Sequence, residues 1–276
     1  MHRTVMQRIS TLNFRQWGEA QGPKVVLIHG LFGDLDNLGQ AARALAARFT
    51  VITPDLRNHG ASAHHGQMQL ATLADDLGQL LTQQVPDPAE AVHLVGHSLG
   101  GKVAMQFALR HPERVKSLTV VDMAPVAYSQ PRHSQVFAAL NAVERASPSD
   151  RRSAEALMSP YLPDSGVRQF LLKGFLRPEA RQQAGSLSCW RFNLAAIEAA
   201  YPDLMGWEPV SGPYAGPTLF IKGGNSDYLT AEHQGRIMAL FPAARARVVA
   251  GAGHWLHAEQ PQLFERMLAD FLAGAR

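Results

Sequence analysis

A chain of 276 residues that is 46% hydrophobic and 18% charged is long enough for one enzyme-sized globular domain. Its single cysteine, Cys189, excludes an internal disulfide and argues against a cysteine-ligated metal site, and no apolar run approaches the roughly 20 residues that cross a bilayer. The net charge of +3 comes from scattered Lys and Arg residues, which argues against a nucleic-acid surface.

Short apolar and β-branched runs alternate along the chain with segments whose apolar residues recur at helical spacing. This alternation predicts an α/β protein with a mostly parallel sheet and helices on both faces, because strands covered on both sides are almost continuously apolar. The predicted strands are residues 25–29, 51–55, 91–96, 118–122, 218–222 and 247–250. The predicted helices include residues 38–49, 70–80, 103–109 and 263–271.

The alternation stops after Pro125 and resumes near Gly216. Between these points lie helix-like segments separated by Pro and Gly residues, without a convincing strand. We therefore predict that residues 1–124 and 213–276 form an α/β core, and that residues 125–212 form a helical cap above the edge of the sheet.

A candidate nucleophile, Ser98, lies between a predicted strand and a predicted helix, in the sequence Gly96-His97-Ser98-Leu99-Gly100. That context is required by the G-x-S-x-G nucleophile elbow. A serine in so sharp a turn has a strained backbone, and the two glycines remove side chains that would collide with neighbouring backbone. The five residues alone also occur in ordinary glycine-rich turns, but the strand and the helix around them favour a nucleophile.

The candidate general base is His254, which follows the last predicted strand and precedes the last predicted helix. The order of serine first and histidine last agrees with that of α/β hydrolases. A base in this role needs one ring nitrogen facing Ser98 and the other held by a carboxylate. His257, one turn further on, is expected to face outward or to support the loop.

Two residues are candidates for the carboxylate that orients the base. Asp227 follows the strand that ends near Lys222, which is the usual position of this acid in the fold, and Asp122 ends the earlier strand at 118–122. Either position reaches the same histidine, and the second aspartate is expected to cap a turn or bind a backbone amide. The residues themselves leave the choice open.

An oxyanion hole needs two backbone N–H groups aimed at the oxygen of the tetrahedral intermediate. Leu99 supplies one as the residue after the nucleophile. Leu31, in the glycine-containing loop His29-Gly30-Leu31-Phe32-Gly33 after the first central strand, is expected to supply the other.

With these elements in order, the chain resembles the α/β-hydrolase family over nearly its whole length, and within it the bacterial YbfF-type esterases. The resemblance is carried by an ordered set of motifs at residues 29–39, 57–60, 96–102, 121–125, 190–193, 223–226 and 252–259. It implies a capped serine esterase that acts on acyl esters, or on acyl thioesters, without a metal or another cofactor. It also ranks Asp122 ahead of Asp227, because esterases of this group place a carboxylate at the position of Asp122.

The predicted cap contains six aromatic residues that suit an acyl chain: Phe137, Phe170, Phe175, Trp190, Phe192 and Trp207. We assign substrate contacts to Phe137, Trp190 and Phe192 in the cap and to Phe32 in the core. Each cap aromatic has the alternative of forming the cap's own core. Three basic residues, Lys102, Arg132 and Arg191, are candidates for binding a carboxylate, a phosphate or a coenzyme A tail, with surface charge or ion pairing as the alternative.

Other functions remain open on the same scaffold, since a fold does not fix the chemistry. A cofactor-free carbon–carbon bond hydrolase, a lyase or a perhydrolase would use the same residues, and a non-catalytic ligand receptor is a further alternative. We expect a monomer or a small homo-oligomer. The first eight residues lack the apolar stretch of a secretory signal, so we expect a cytoplasmic protein.

Overall fold

A computed structural model of the chain describes residues 12–19, 22–129, 132–210 and 212–275. Within them, seven strands form one sheet: β1 Phe14–Trp17, β2 Lys24–Ile28, β3 Thr50–Pro54, β4 Val92–His97, β5 Val115–Val121, β6 Thr218–Gly223 and β7 Ala244–Val249. The strand order is β1-β3-β2-β4-β5-β6-β7. Strand β1 pairs antiparallel with β3, and all other neighbours are parallel. The predicted fold class, a mostly parallel sheet covered by helices, is confirmed.

Eleven α-helices accompany the strands in the described residues. They are α1 Gly39–Leu45, α2 Leu70–Gln84, α3 Leu99–Arg110, α4 Ser134–Ala146, α5 Arg151–Met158, α6 Ser165–Leu171, α7 Pro178–Gln183, α8 Leu194–Met205, α9 Gln234–Leu240, α10 Leu256–Glu259 and α11 Pro261–Gly274. None of the helices in the described parts of the chain is long and apolar enough to span a membrane.

The sheet separates two hydrophobic cores, because successive side chains of a strand point to opposite faces. In β2, Val26 and Ile28 pack with α2 and α3 on one face. Val25 and Leu27 pack with α1 and α11 on the other. All four residues are almost completely buried, which explains why the parallel strands were predictable as apolar runs.

Strand β1 was not predicted. Its four residues, Phe14 to Trp17, are half-buried or exposed, and two of them are Arg and Gln. An edge strand with one neighbour lacks the continuous apolar run of a central strand, so the sequence carries little signal for it.

Five helices, α4 to α8, lie in the chain between β5 and β6. Lys102 of α3 joins this helical segment to the core, because its ammonium group donates to the carbonyl oxygens of Leu204, Met205 and Gly206 at distances of 3.3, 2.8 and 2.5 Å. The carbonyls at the end of α8 lack partners within the helix and attract a positive charge. Lys102 is 1% exposed, and burial lowers its pKa to about 7. The proposed role of Lys102 in binding a substrate anion is therefore wrong, since its three donors face protein carbonyls.

The turn between β4 and α3 depends on two glycines. A Cβ atom on Gly96 would lie 2.1 Å from the carbonyl oxygen of Gly100, and one on Gly100 would lie 2.3 Å from that of Ile28. Both distances are far below van der Waals contact with rigid backbone. Side chains are thus excluded on both sides of Ser98.

We expect Gly96→Ala to lower the free energy of unfolding by about 3 kcal/mol, because the methyl group overpacks a site bounded by backbone. Gly235→Ala in α9 is the matched control, since a Cβ atom there meets nothing within 4 Å. The control should leave stability unchanged or raise it by up to about 1 kcal/mol. Urea unfolding of both variants measures the difference, and equal stabilities would contradict the packing argument.

Candidate active site

The loops that follow β2, β4, β5 and β7 meet at the carboxyl edge of the sheet. They carry Leu31, Ser98, Asp122 and His254 in that order. Because parallel strands end at the same edge, residues separated by more than two hundred positions become neighbours there. The Leu31 amide and the side chains of the other three residues, all predicted to lie at strand ends, therefore occupy one site.

Ser98 has a backbone conformation that a serine seldom adopts. Its φ and ψ angles are 53° and −119°, outside the regions that L-residues favour. Its N–H donates to the carbonyl oxygen of Val121, and its carbonyl oxygen accepts from the amides of Gly101 and Lys102. These bonds hold the strained turn, and the hydroxyl faces the cavity described below.

His254 connects the serine to a carboxylate. Its Nε2 lies 3.0 Å from Ser98 Oγ, and its Nδ1 lies 2.7 Å from Asp122 Oδ2. Asp122 is completely buried, and its other oxygen accepts from the Gly223 amide at 3.0 Å. The Ser226 hydroxyl donates to the same carboxylate oxygen that faces the imidazole. A carboxylate held in this way fixes the Nδ1–H tautomer and leaves Nε2 free to accept a proton.

The structure brings Asp122, and not Asp227, to His254. Asp227 has 77% of its side chain exposed and forms an ion pair of 2.6 Å with Arg132. The hydrogen bond from Arg132 lowers the pKa of Asp227. The guanidinium group also lies 4.4 Å from the centre of the Tyr228 ring. Arg132 is thus engaged by its neighbours, although it lines the mouth of the cavity.

Tyr228 and His97 support the imidazole from two sides. The Tyr228 ring stacks on that of His254 with centroids 4.0 Å apart, and the Tyr128 hydroxyl donates to the Tyr228 carbonyl oxygen at 2.6 Å. On the other side, His97 Nε2 donates to the His254 carbonyl oxygen at 2.9 Å. Neither role was predicted from the sequence, although His97 adjoins the nucleophile and Tyr228 adjoins Asp227.

One of the two expectations for His257 was that it faces outward. In the structure it faces the interior instead. Its ring lies 4.4 Å from that of His97, and its Nδ1 is a buried atom without a hydrogen-bond partner among the described residues. Burial lowers the pKa of His257 to about 3, with a smaller contribution from the charge of His254. Burial likewise lowers the pKa of His97 well below its usual value. Two uncharged rings therefore stand behind His254.

The two predicted oxyanion amides are free to bind. Within the described residues, neither the Leu31 nor the Leu99 N–H donates to a protein acceptor, and Leu31 lines the cavity beside Ser98. Leu99 is the first residue of α3, where the N–H groups have no partner inside the helix. The next amide of the loop, that of Phe32, is already bound to His59 Nε2 at 3.1 Å.

A cavity of about 300 Å³ lies over Ser98 between the core and the helical segment. Its wall is mostly apolar, and polar side chains line the remainder. The apolar lining is Leu31, Phe32, Leu38, Val136, Leu162, Val167, Phe170, Leu171 and Trp255. Arg132 and His133 add polar groups from the chain just before α4.

Of the four residues predicted to contact substrate, only Phe32 lines this cavity. Phe137 packs behind it, with ring centroids 5.5 Å apart. Trp190 and Phe192 are each 1% exposed and stack on one another at 5.2 Å, so they form the core of the helical segment. Phe170, another of the cap aromatics named from the sequence, lines the cavity, as do Tyr228 and Trp255, which were not predicted. Arg191 is exposed and does not line the cavity.

Metal binding has no candidate among the described residues, where no group of three or more His, Cys, Asp or Glu side chains is arranged to hold an ion. The chemistry that the geometry offers is nucleophilic. It consists of a hydroxyl, an imidazole that accepts its proton, a carboxylate that orients the imidazole and two free amides nearby.

Residues 23–261 match a protein family described as the alpha/beta hydrolase fold. The chain is 42% identical over 248 residues to Esterase YbfF of Escherichia coli (strain K12), which covers 90% of this chain and 92% of that protein. It is 38% identical over 263 residues to the sn-1-specific diacylglycerol lipase ABHD11 of Mus musculus, which covers 93% of this chain and 83% of that protein.

A solved structure described as a marine microorganism esterase superimposes with a TM-score of 0.86. Its sequence is 36% identical, and the match covers 94% of this chain and 98% of that one. Sequence and structure thus point to the same family.

We expect the stability of the protein to depend on pH through His257, whose ring is half-buried and whose Nδ1 is buried without a hydrogen-bond partner among the described residues. The pKa of His257 is about 3 in the folded protein and roughly 6.5 when unfolded, so the unfolded state binds the extra proton between these values. The free energy of unfolding should therefore fall as the pH drops below 6.5. His257→Leu should reduce that slope by up to about 1.4 kcal/mol per pH unit, measured by urea unfolding between pH 7.5 and 4.5. Parallel curves for the two proteins would show that His257 titrates normally.

Proposed function

This chain belongs to the α/β-hydrolase family, and we propose that it is a serine esterase that hydrolyses carboxylic esters through an acyl-enzyme on Ser98. The hydrogen-bonded series Ser98–His254–Asp122 is the observation that carries the proposal. The names of the relatives, two esterases and a diacylglycerol lipase, support ester hydrolysis as the reaction class.

In the first step, Ser98 Oγ attacks the ester carbonyl carbon while His254 Nε2 takes the hydroxyl proton. The carbonyl oxygen becomes an oxyanion that the Leu31 and Leu99 amides bind. Collapse of the tetrahedral intermediate breaks the bond to the alcohol oxygen, and His254 returns the proton to the departing alcohol. The acyl group is then bound to Ser98 as an ester.

In the second step, water attacks the acyl-enzyme. His254 removes a proton from the water, the same two amides bind the second oxyanion, and the bond between Ser98 Oγ and the acyl carbon breaks. His254 protonates the serine, and the carboxylic acid leaves. Asp122 stabilises the imidazolium that forms twice in each cycle.

The apolar wall of the 300 Å³ cavity supports an acyl chain as the group bound over Ser98, since apolar lining favours apolar ligands and excludes water. We propose that residues 125–212 act as a cap, because Val136, Leu162 and Phe170 from this segment complete the wall. Acyl thioesters enter the proposal as a second substrate class, because the same mechanism expels a thiol in place of an alcohol.

Replacement of the nucleophile tests the reaction. Ser98→Ala should lower kcat for p-nitrophenyl butyrate by about 10⁶-fold, because loss of a catalytic serine removes the acyl-enzyme route. Its urea unfolding should match that of the unaltered protein, and butyryl-CoA measured in parallel tests the thioester proposal. Hydrolysis that persists at the original rate in folded Ser98→Ala would exclude this serine as the nucleophile.

The two aspartates form a matched pair of variants. Asp122→Asn should lower kcat by about 10⁴-fold, as expected when an amide favours the wrong imidazole tautomer. Asp227→Asn should keep kcat within about threefold, because an exposed ion pair contributes little. Steady-state kinetics at pH 7.5 compares them, and the opposite ranking would move the acid to Asp227.

A further inference from the structure

Two buried histidines join the loop after β2 to the loop after β3. His29, in the first loop, accepts a hydrogen bond from the Leu56 amide at its Nε2 (3.0 Å). His59, in the second loop, accepts one from the Phe32 amide at its Nε2 (3.1 Å). The rings lie 5.1 Å apart, and each is at most 2% exposed. Each loop thus supplies an imidazole acceptor to an amide of the other.

The protonation of both rings follows from their second contacts. His59 Nδ1 lies 2.9 Å from the Arg57 carbonyl oxygen, and His29 Nδ1 lies 2.7 Å from that of Gly30. A carbonyl only accepts, so each Nδ1 carries the proton. A neutral imidazole has one N–H, which leaves each Nε2 as the acceptor that the facing amide requires. Burial lowers the pKa of His59 to about 3 and also lowers that of His29, which keeps both rings neutral.

These bonds orient the amide beside Ser98. The Gly30 carbonyl and the Leu31 N–H belong to one planar peptide, in which they point in opposite directions. Two donors hold that carbonyl, His29 Nδ1 at 2.7 Å and the Gly33 amide at 3.1 Å. His59 holds the next peptide through the Phe32 amide, and Phe32 has a φ of 60° that L-residues seldom adopt. The direction of the Leu31 N–H is therefore set by the two histidines together.

We propose that His59 is a positioning residue for the oxyanion hole, which it aligns from outside the cavity through the Phe32 amide and its contact with His29. This inference rests on the proposed function, because it takes Leu31 as an oxyanion donor. His59 does not line the cavity, so it affects the reaction only through the loop. A residue of this kind should alter binding of the transition state more than binding of the substrate.

Two substitutions separate the acceptor from the bulk of the ring. His59→Leu fills similar space without an acceptor, and His59→Gln keeps an acceptor oxygen at the end of the side chain. His93→Leu is the control, because His93 is also 2% exposed and hydrogen-bonded, to Ser117 at 2.7 Å, but lies near the amino end of β4, away from Ser98. The control measures the general effect of removing a buried histidine.

For p-nitrophenyl butyrate, His59→Leu should lower kcat by about 30-fold, less than the 10²–10³ of a deleted oxyanion donor, with KM changed less than threefold. His59→Gln should recover at least a third of the original kcat, and His93→Leu should retain it. An alkyl trifluoromethyl ketone gives a second readout. Ser98 Oγ adds to its carbonyl carbon, the proton passes to His254, and the alkoxide occupies the oxyanion hole. His59→Leu should raise its Ki by the same factor as it lowers kcat/KM.

A kcat for His59→Leu within threefold of that of His93→Leu would overturn the proposal, as would an unchanged Ki. Should His59→Leu fail to fold, ¹⁵N NMR of the unaltered protein tests the proposal by measuring which nitrogen of the His59 ring carries the proton. A neutral His59 with Nδ1 protonated at pH 5 to 8 supports the proposal, and a protonated Nε2 refutes it. The ring's tautomer and the kinetics of Ser98→Ala are independent measurements, so failure of the proposed function and failure of this inference are distinguishable.

Discussion

The structure depends on one constraint, the requirement that a single imidazole contact a hydroxyl and a carboxylate at once. His254 meets Ser98 at 3.0 Å and Asp122 at 2.7 Å, and the three residues come from the ends of three different strands. Both partners have left-handed backbone conformations, with φ of 53° and 50°, which cost roughly 1–2 kcal/mol per residue. The parallel sheet and the glycines around Ser98 make this strain tolerable, because they fix the turns from both sides.

The surroundings of His254 hold its ring in one orientation between Ser98 and Asp122. Tyr228 stacks on it, and His97 binds its main chain. Asp122 receives hydrogen bonds from the Gly223 amide on one oxygen and from the Ser226 hydroxyl on the oxygen that also faces the imidazole, so its buried charge is satisfied before the imidazolium forms. Such preorganisation is where enzymes gain most of their electrostatic stabilisation. Carbon–carbon bond hydrolysis and ligand reception, the alternatives left open by the sequence, are not favoured by the three relatives described above, which are named as esterases or as a lipase.

The sequence predicted what depends on local pattern and chain order. The six parallel strands, the helices between them and the strand-to-helix turn at Ser98 follow from periodicity and glycine placement. Contacts between side chains that are far apart in the sequence could not be predicted in this way. Spacing did not reveal that Asp227 faces Arg132, because an aspartate at that position can orient a histidine or form a surface ion pair. It also did not reveal that Trp190 and Phe192 pack on each other, because an aromatic residue can line a cavity or fill a core. His29 and His59 lie in motifs that carry the family resemblance, but their roles were not predictable from the sequence, since those roles require two loops to be brought together.

The central claim, an activated serine at position 98, is tested most directly by its reaction with a fluorophosphonate. Attack by Ser98 Oγ displaces fluoride, and only a serine whose proton is removed by a base reacts readily. Mass spectrometry of the digested protein should find one phosphonylated peptide, that containing Ser98, and no label after His254→Ala. Label on another residue, or labelling that is unaffected by the loss of His254, would contradict the account.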